Sequence, residues 1–260
     1  MNNAQPNTKP VRHLLGLSGG KDSSALAIYL RDKIPEMEYF FADTGAELPE
    51  TLAYIDMLED YLGKPIKRLN AGRDFEYYLK LHNNFLPSPR QRWCTINLKL
   101  IPFEEFVGND ECISYIAIRA DEPSRTGYIS KKPNIRTVLP FRDDGINKED
   151  VMKILEASGL GLPEYYQWRS RSGCYFCFFQ RQEEWVGLSM HHPELFEKSK
   201  QYEKTDDATG KRYTWSQEGT LDEIVAKASD IKHIPKKQKS KKLIDNISAY
   251  DDEGCIICML

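Results

Sequence analysis

The 260-residue sequence has no apolar run approaching the roughly 18 residues that a membrane-crossing helix needs, so no segment is expected to span a bilayer. Its first eleven residues, Met1 to Val11, are polar and proline-containing, without the apolar stretch of a secretion signal. A cytoplasmic location is the expectation. Cysteine is scarce as well: six in a chain of this length are too few for a disulfide scaffold, and clustered thiols in a reducing compartment point to metal binding or redox chemistry. Excess charge is also missing. With 36 Lys and Arg against 39 Asp and Glu the formal charge is −3, so a polyanion would have to be held by a local patch. There is no Walker loop with its four-residue spacer before Gly-Lys-Ser/Thr, which argues against kinase or GTPase chemistry. No internal repeat is present.

What remains is ordinary globular composition, 40% hydrophobic and 29% charged, in a chain long enough for one large α/β domain with or without an appendage. Arg12 to Leu17 reads as a buried strand, and after a glycine turn Ser23 to Arg31 reads as a helix. Met37 to Ala42 is a second strand, ended by Asp43-Thr44-Gly45. Leu48 to Leu62 carries leucines and Ile55 at helical spacing, Pro65 to Leu69 suggests a third strand, and Cys112 to Ile118 a fourth. Strands alternating with helices specify a parallel sheet covered on both faces, which places ligands at the carboxyl ends of its strands. Residues 18–23, 43–45 and 119–125 fall there.

Beyond Lys131 the pattern loosens. Asn147 is a plausible N-cap for a helix to Ala157, and Glu183 to Lys204 is helix-like with an interruption at His192-Pro193. The division expected is a nucleotide-binding α/β core over 1–140 and a cysteine-bearing, mostly helical region over 141–260. Cys112 opens an apolar strand and reads as a core residue. Tyr165, Tyr166 and Trp168 suit packing better than base stacking, and His191-His192 reads as a helix end. Arg90, Arg92, Arg169 and Arg171 flank the cysteines and would guide a polyanion; the five lysines of 236–242 would do so less well, since charge runs are usually solvated.

Ser18-Gly19-Gly20-Lys21-Asp22-Ser23, set between a strand and a helix, has a direct physical meaning. The glycines let backbone N–H groups approach an anion, the helix N-terminus adds partial positive charge, Lys21 adds a point charge, and the Ser18 and Ser23 hydroxyls can donate to phosphate oxygens. This hexapeptide resembles the PP-loop of the adenine nucleotide α-hydrolase-like superfamily. Further segments are similar to those of PAPS reductase-like proteins: Phe41 to Glu47 with Pro49-Glu50-Thr51, Arg92-Trp93-Cys94-Thr95 with Leu98-Lys99 and Pro102, Ile118 to Arg125 with Pro123 inserted, and Ser172 to Cys177.

The resemblance implies a Rossmann-like fold and an ATP pyrophosphatase using ATP and Mg2+. It implies nucleotide contacts from Ser18, Gly19, Gly20, Lys21, Asp22, Ser23, Asp43, Thr44, Gly45, Arg119 and Arg125, and catalytic roles for Lys21, Asp22, Cys94, Cys174 and Cys177. The reductases' Glu-Cys-Gly-Ile/Leu-His segment is missing from the sequence, which ends Gly254-Cys255-Ile256-Ile257-Cys258-Met259-Leu260. Relatives without that tail include the sulfurtransferases of DNA phosphorothioation systems of the Dnd and Ssp types, so DNA is the implied substrate and a cysteine desulfurase the implied partner. Reduction of PAPS or adenylyl sulfate, tRNA thiolation and a non-catalytic nucleotide-binding subunit of a defence system are the competing readings. Cys94, Cys174 and Cys177 would hold a [4Fe-4S] cluster, with Cys255 or Cys258 as a further ligand; zinc and a metal-free persulfide relay remain alternatives.

Overall fold

The structure, a computed structural model, describes residues 9–206 and 209–230, with the side chains of 229 and 230 left aside. The lysine run 236–242 and Cys255 and Cys258 lie outside the described residues. In chain order come β1 (Arg12–Leu17), α1 (Lys21–Leu30), β2 (Glu38–Asp43), α2 (Pro49–Leu62), β3 (Ile66–Asn70) and α3 (Phe75–Leu81). A helical turn, α4 (Trp93–Thr95), runs through a wide π-type turn at Ile96–Leu100 into α5 (Ile101–Val107). Then follow β4 (Cys112–Tyr115), β5 (Ile135–Val138), α6 (Pro140–Asp143), α7 (Lys148–Ser158) and a 3-10 turn at Glu164–Gln167. The remainder is α8 (Gln182–His191), α9 (Pro193–Lys200), a hairpin of β6 (Lys204–Asp206) and β7 (Lys211–Tyr213), and α10 (Leu221–Asp230).

Five strands form one parallel sheet in the order β3-β2-β1-β4-β5. The chain moves outward from β1 to β3 and then returns to place β4 on β1's other side. The reversal of direction lies between β1 and β4, and in such sheets the crevice outside that point receives ligands. The expected strands and helices form at these places, although α3 to α6, the β6–β7 hairpin and α10 have no counterpart in the sequence reading and the helix expected to run to Lys204 ends at Lys200. Two differences concern the sheet. β4 stops at Tyr115 instead of Ile118, because the Ile118 N–H donates to Ile116 O and the chain turns out of the ladder. β5 has no counterpart in the sequence reading: four residues, Ile-Arg-Thr-Val, at a sheet edge are too short to show a period.

The apolar residues of β1 and β2 explain why they lie inside the sheet: Leu14, Leu15, Leu17, Phe40 and Phe41 are buried. α1 packs on one face and is buried along most of its length, including the polar residues Lys21 to Ser24 of its first turn. Val151 and Leu155 of α7 join that same core, so the residues just after 140 share it. α7 starts where Asn147 caps it. The Asn147 side chain accepts from the Glu149 and Asp150 N–H groups, and Asp150 accepts from the Asn147 N–H in return. The interruption at His192-Pro193 is present as the break between α8 and α9. A second core, rich in aromatic rings, joins Phe75 and Trp93 to Phe176, Trp185, Tyr202 and Trp215. It carries the loops that reach the carboxyl edge of the sheet.

Asn147→Ala removes both acceptor bonds of the cap. It should lower unfolding free energy by about 1 kcal/mol, read as a shift of the urea midpoint with unchanged slope.

Candidate active site

The loop after β1 turns at Gly19, whose φ of +70° an L side chain rarely adopts, and where an added Cβ would stand 2.7 Å from Thr51 Cγ2. At Gly20 an added Cβ would stand 2.7 Å from Ser172 Oγ. Gly19 is therefore required by its backbone conformation, and a side chain at Gly20 would force Ser172 to move. Ser18 N–H donates to Ser23 Oγ at 3.2 Å, the two serine hydroxyls are 3.1 Å apart, and Ser172 Oγ donates to Ser18 Oγ at 3.1 Å.

Lys21 and Asp22 form a buried ionic knot with Arg119 from the loop after β4. Lys21 Nζ is 2.8 Å from Asp22 Oδ2, and Arg119 Nη1 is 3.0 Å from Asp22 Oδ1. Arg119 also meets Asp121 at 2.9 Å and Glu122 at 3.7 Å, and Arg125 is paired with Glu122. Burial alone would raise the Asp22 pKa; the charges of Lys21 and Arg119, with their hydrogen bonds, outweigh it and hold the carboxyl below its usual value. The three cationic groups expected at the phosphates are thus placed at the switch point, but here each is engaged with a carboxylate. On the β2 side, Asp43 Oδ1 accepts from the Gly45 N–H at 3.0 Å, and Thr44 is buried.

Two contributors escaped the sequence reading. Tyr165 donates its hydroxyl to Gly19 O at 2.7 Å, and the Lys21 N–H donates to Tyr166 Oη at 3.1 Å. Both tyrosines are buried, as packing residues should be, yet their hydroxyls also hold the phosphate loop from behind. No spacing in the chain links 165–166 to 19–21. Cys112 is a buried core thiol, as expected, and burial pushes it up to about 11.

Cys94, Cys174 and Cys177 line one small pocket of about 30 Å³ with Thr44, Lys99, Leu98, Phe176 and Phe179. Cys94 sits in the turn of α4 that leads into the π-type turn; such turns recur at functional sites. Cys174 Sγ lies 3.3 Å from Thr44 Oγ1, which donates to Glu47 Oε1 at 2.6 Å. Burial, helped by the Glu47 charge, pushes the Cys174 thiol up to about 12. Burial likewise raises the Glu47 carboxyl, against the Thr44 hydrogen bond. The four described cysteines remain as thiols. Three soft donors suit a soft metal. Among the described residues, however, no three His, Cys, Asp or Glu side chains are gathered into a set that could hold an ion as arranged.

Arg169 departs from its expected role. It is buried and donates to Gly173 O at 3.1 Å and Cys174 O at 2.8 Å, so it braces the cysteine loop and is not offered to a polyanion.

A family model described as the phosphoadenosine phosphosulfate reductase domain matches residues 12–177, from the start of β1 to the second thiol of the Cys-x-x-Cys pair. The chain belongs to that family. Two uncharacterized proteins of Methanocaldococcus jannaschii are similar to it. One is 26% identical over 241 residues, covering 88% of this chain and 54% of its own length; the other is 27% identical over 203 residues, covering 73% and 40%. The chain thus spans about half, or less, of those relatives. Among solved structures, a PAPS reductase from Candida auris in complex with phosphate aligns with a TM-score of 0.46 at 13% identity, covering 60% of this chain and 77% of that one. A U34-tRNA thiolase from Methanococcus maripaludis with its [4Fe-4S] cluster aligns with a TM-score of 0.44 at 14% identity, covering 88% and 84%. No helix among the described residues is long and apolar enough to cross a membrane.

Asp22→Asn leaves Lys21 and Arg119 buried without their shared counter-charge. It should cost about 3–5 kcal/mol of stability at neutral pH. Because the folded-state pKa lies below the unfolded one, the aspartate stabilises the fold above the ordinary carboxylate range, and that contribution fades as pH falls through the folded value. The urea-midpoint gap between wild type and Asp22→Asn should therefore narrow on acidification; a gap that widens contradicts the ionic knot.

Proposed function

We propose that this protein is an ATP pyrophosphatase that activates an oxygen of a nucleic acid and replaces it with sulfur, acting on the phosphate backbone of DNA. The observation that carries the reading is the joining of two chemistries at one strand edge: Ser172, two residues from Cys174, hydrogen-bonds Ser18 of the phosphate loop at 3.1 Å, while Cys174 meets Thr44 of the β2 end. A loop built for nucleotide phosphates and a pocket of three thiols are thereby neighbours.

In this mechanism the substrate oxygen attacks the α-phosphorus of ATP, and pyrophosphate leaves. The backbone N–H groups and hydroxyls of residues 18–23, with Lys21 and Arg119, stabilise the charge that builds on the α-phosphate. Nucleotide and Mg2+ would draw Lys21 and Arg119 partly away from Asp22, which is poised to keep them oriented. The terminal sulfur of a persulfide carried on one of the three thiols then attacks the activated phosphorus, the P–O bond breaks and AMP carries the oxygen away. A second thiol attacks the S–S bond so formed, releasing the phosphorothioate and leaving a disulfide that a dithiol reductant must reopen before the next turnover. Cys94, Cys174 and Cys177 handle that sulfur, supplied as persulfide by a cysteine desulfurase; an iron–sulfur cluster or zinc on the same thiols would supply hydrosulfide-binding chemistry. Iron, sulfide and zinc analysis of anaerobically purified protein tells these forms apart.

Incubation with ATP and its nucleic acid should yield AMP and pyrophosphate, and Lys21→Ala should lower kcat/KM for pyrophosphate release by about 100-fold. ADP and orthophosphate as products would overturn the assignment, and sulfite released from PAPS would put reduction in its place.

Phosphorothioate dinucleotides should be recoverable from the DNA of cells carrying the wild-type protein and vanish with Lys21→Ala. Sulfur-free DNA, together with a thiolated tRNA nucleoside lost in the variant, would move the target to tRNA.

A further inference from the structure

Arg92 and Arg171 stand at the rim of the thiol pocket and are conspicuous for what they do not face. Arg92 precedes α4, and Arg171 lies in the loop before Cys174, yet both set their guanidinium over the ring of Phe179, at 5.2 and 5.0 Å from its centroid. Phe179 forms part of the wall shared with Cys94, Cys174 and Cys177. Elsewhere on the surface arginines meet carboxylates, as Arg12 meets Glu38, Arg68 meets Asp56 and Arg212 meets Glu223. Among the described residues neither Arg92 nor Arg171 has an ion-pair partner.

Their remaining hydrogen-bonding groups tell the same story. Arg92 Nε donates to Pro89 O at 3.2 Å, which fixes the side chain while its two terminal amino groups stay available. Arg171 Nη2 is shut away from solvent and has no hydrogen-bond partner. Two cations held on one ring lie within about a Debye length of each other at 0.1 M salt, so they repel, and among the described residues no carboxylate stands within ion-pair distance to offset them. An anion placed between them relieves that repulsion and can accept from the terminal amino groups of Arg92. Guanidinium groups anchored on an aromatic face offer the planar fork that matches phosphate oxygens. The neighbouring groove beneath Phe85, Tyr213 and Trp215 is of the opposite kind: its Arg212 is neutralised by Glu223, and Glu218 adds negative charge. The described lining of that groove thus carries net negative charge, which disfavours a phosphate strand there.

We infer that Arg92 and Arg171, seated on Phe179, form a phosphodiester-binding site that lays the substrate strand across the mouth of the thiol pocket. The inference rests on the nucleic-acid reading of the site and adds the contact by which the strand is held. It also separates these two arginines from Arg169, whose guanidinium is committed to the cysteine loop.

The test measures binding of the full chain to fluorescently labelled single-stranded DNA and RNA of the same sequence, by anisotropy, without ATP and over a series of salt concentrations. Arg92→Gln and Arg171→Gln should each weaken binding about tenfold, and each should flatten the slope of log K against log salt by about 0.7. Arg92→Lys and Arg171→Lys keep the charge and should keep the slope, which preserves the test if a glutamine variant fails to fold. A preference for one of the two oligonucleotides names the polymer. No binding by the wild type, or unchanged affinity and slope in the doubly substituted Gln variant, overturns the site. So does a loss of ATP affinity in the variants with oligonucleotide binding intact, since the arginines would then belong to the nucleotide. Pyrophosphate release takes no part in this readout. Arginine-dependent binding beside a failed adenylation assay would leave the site standing and remove only the proposed reaction.

Discussion

The carboxylate of Asp22, clamped between Lys21 and Arg119, is the contact on which the rest of the molecule turns. It lies where the sheet reverses direction, and it ties the first turn of α1 to the loop after β4. A buried charge that lost either partner would be costly, so the three residues specify one another's positions closely. The same knot holds two cations at the strand ends. That arrangement suits the proposed exchange of an internal carboxylate for a polyphosphate: the ligand would enter where positive charge is already assembled, and Asp22 would retain whatever share the ligand does not take. Arg125 and Glu122 extend the network outward, and Arg142 donates to the carbonyls of Glu122 and Arg125, so the loop after β4 is braced on both sides.

From this centre the C-terminal part of the chain acquires its role. The 3-10 turn at Glu164–Gln167 brings two tyrosine hydroxyls against the back of the phosphate loop, and Ser172 touches its front. The cysteine loop that follows is stiffened by Arg169 on its carbonyls and by the Tyr175 N–H, which donates to Ala46 O. Glu184 of α8 accepts from Ser170 and Arg181, closing the loop at its far end. Few of these contacts are individually strong, but together they place Cys174 and Cys177 against the β2 end with little freedom to wander. The aromatic core behind them, with Phe176 stacked on Trp215 and packed on Phe75, gives the loop a rigid backing.

Features that depend on neighbours along the chain could be read from the residues alone. The apolar runs of β1 and β2, the glycine turn before α1, the cap at Asn147 and the break at His192-Pro193 all follow from local sterics and local hydrogen bonds. The grouping of the phosphate loop, the β2 end and the Arg119 loop was also legible, because a parallel sheet gathers the carboxyl ends of its strands at one edge. The short edge strand β5 was not, since four residues with an arginine among them carry no readable period.

Which side chains meet across large separations emerges only from the packed fold. Tyr165 and Tyr166 are 146 and 145 residues from the backbone groups they hold, and nothing in an aromatic pair says which loop it will support. Four arginines flanked the cysteines alike in the sequence, yet one is buried on carbonyls while two share a phenylalanine ring. The difference is burial and the reach of a long side chain, and both are set by packing. The convergence of Cys94 with Cys174 and Cys177 on one pocket has the same origin: α4 and the cysteine loop are separate in the chain and meet because the aromatic core draws Trp93 and Phe176 together around Phe75.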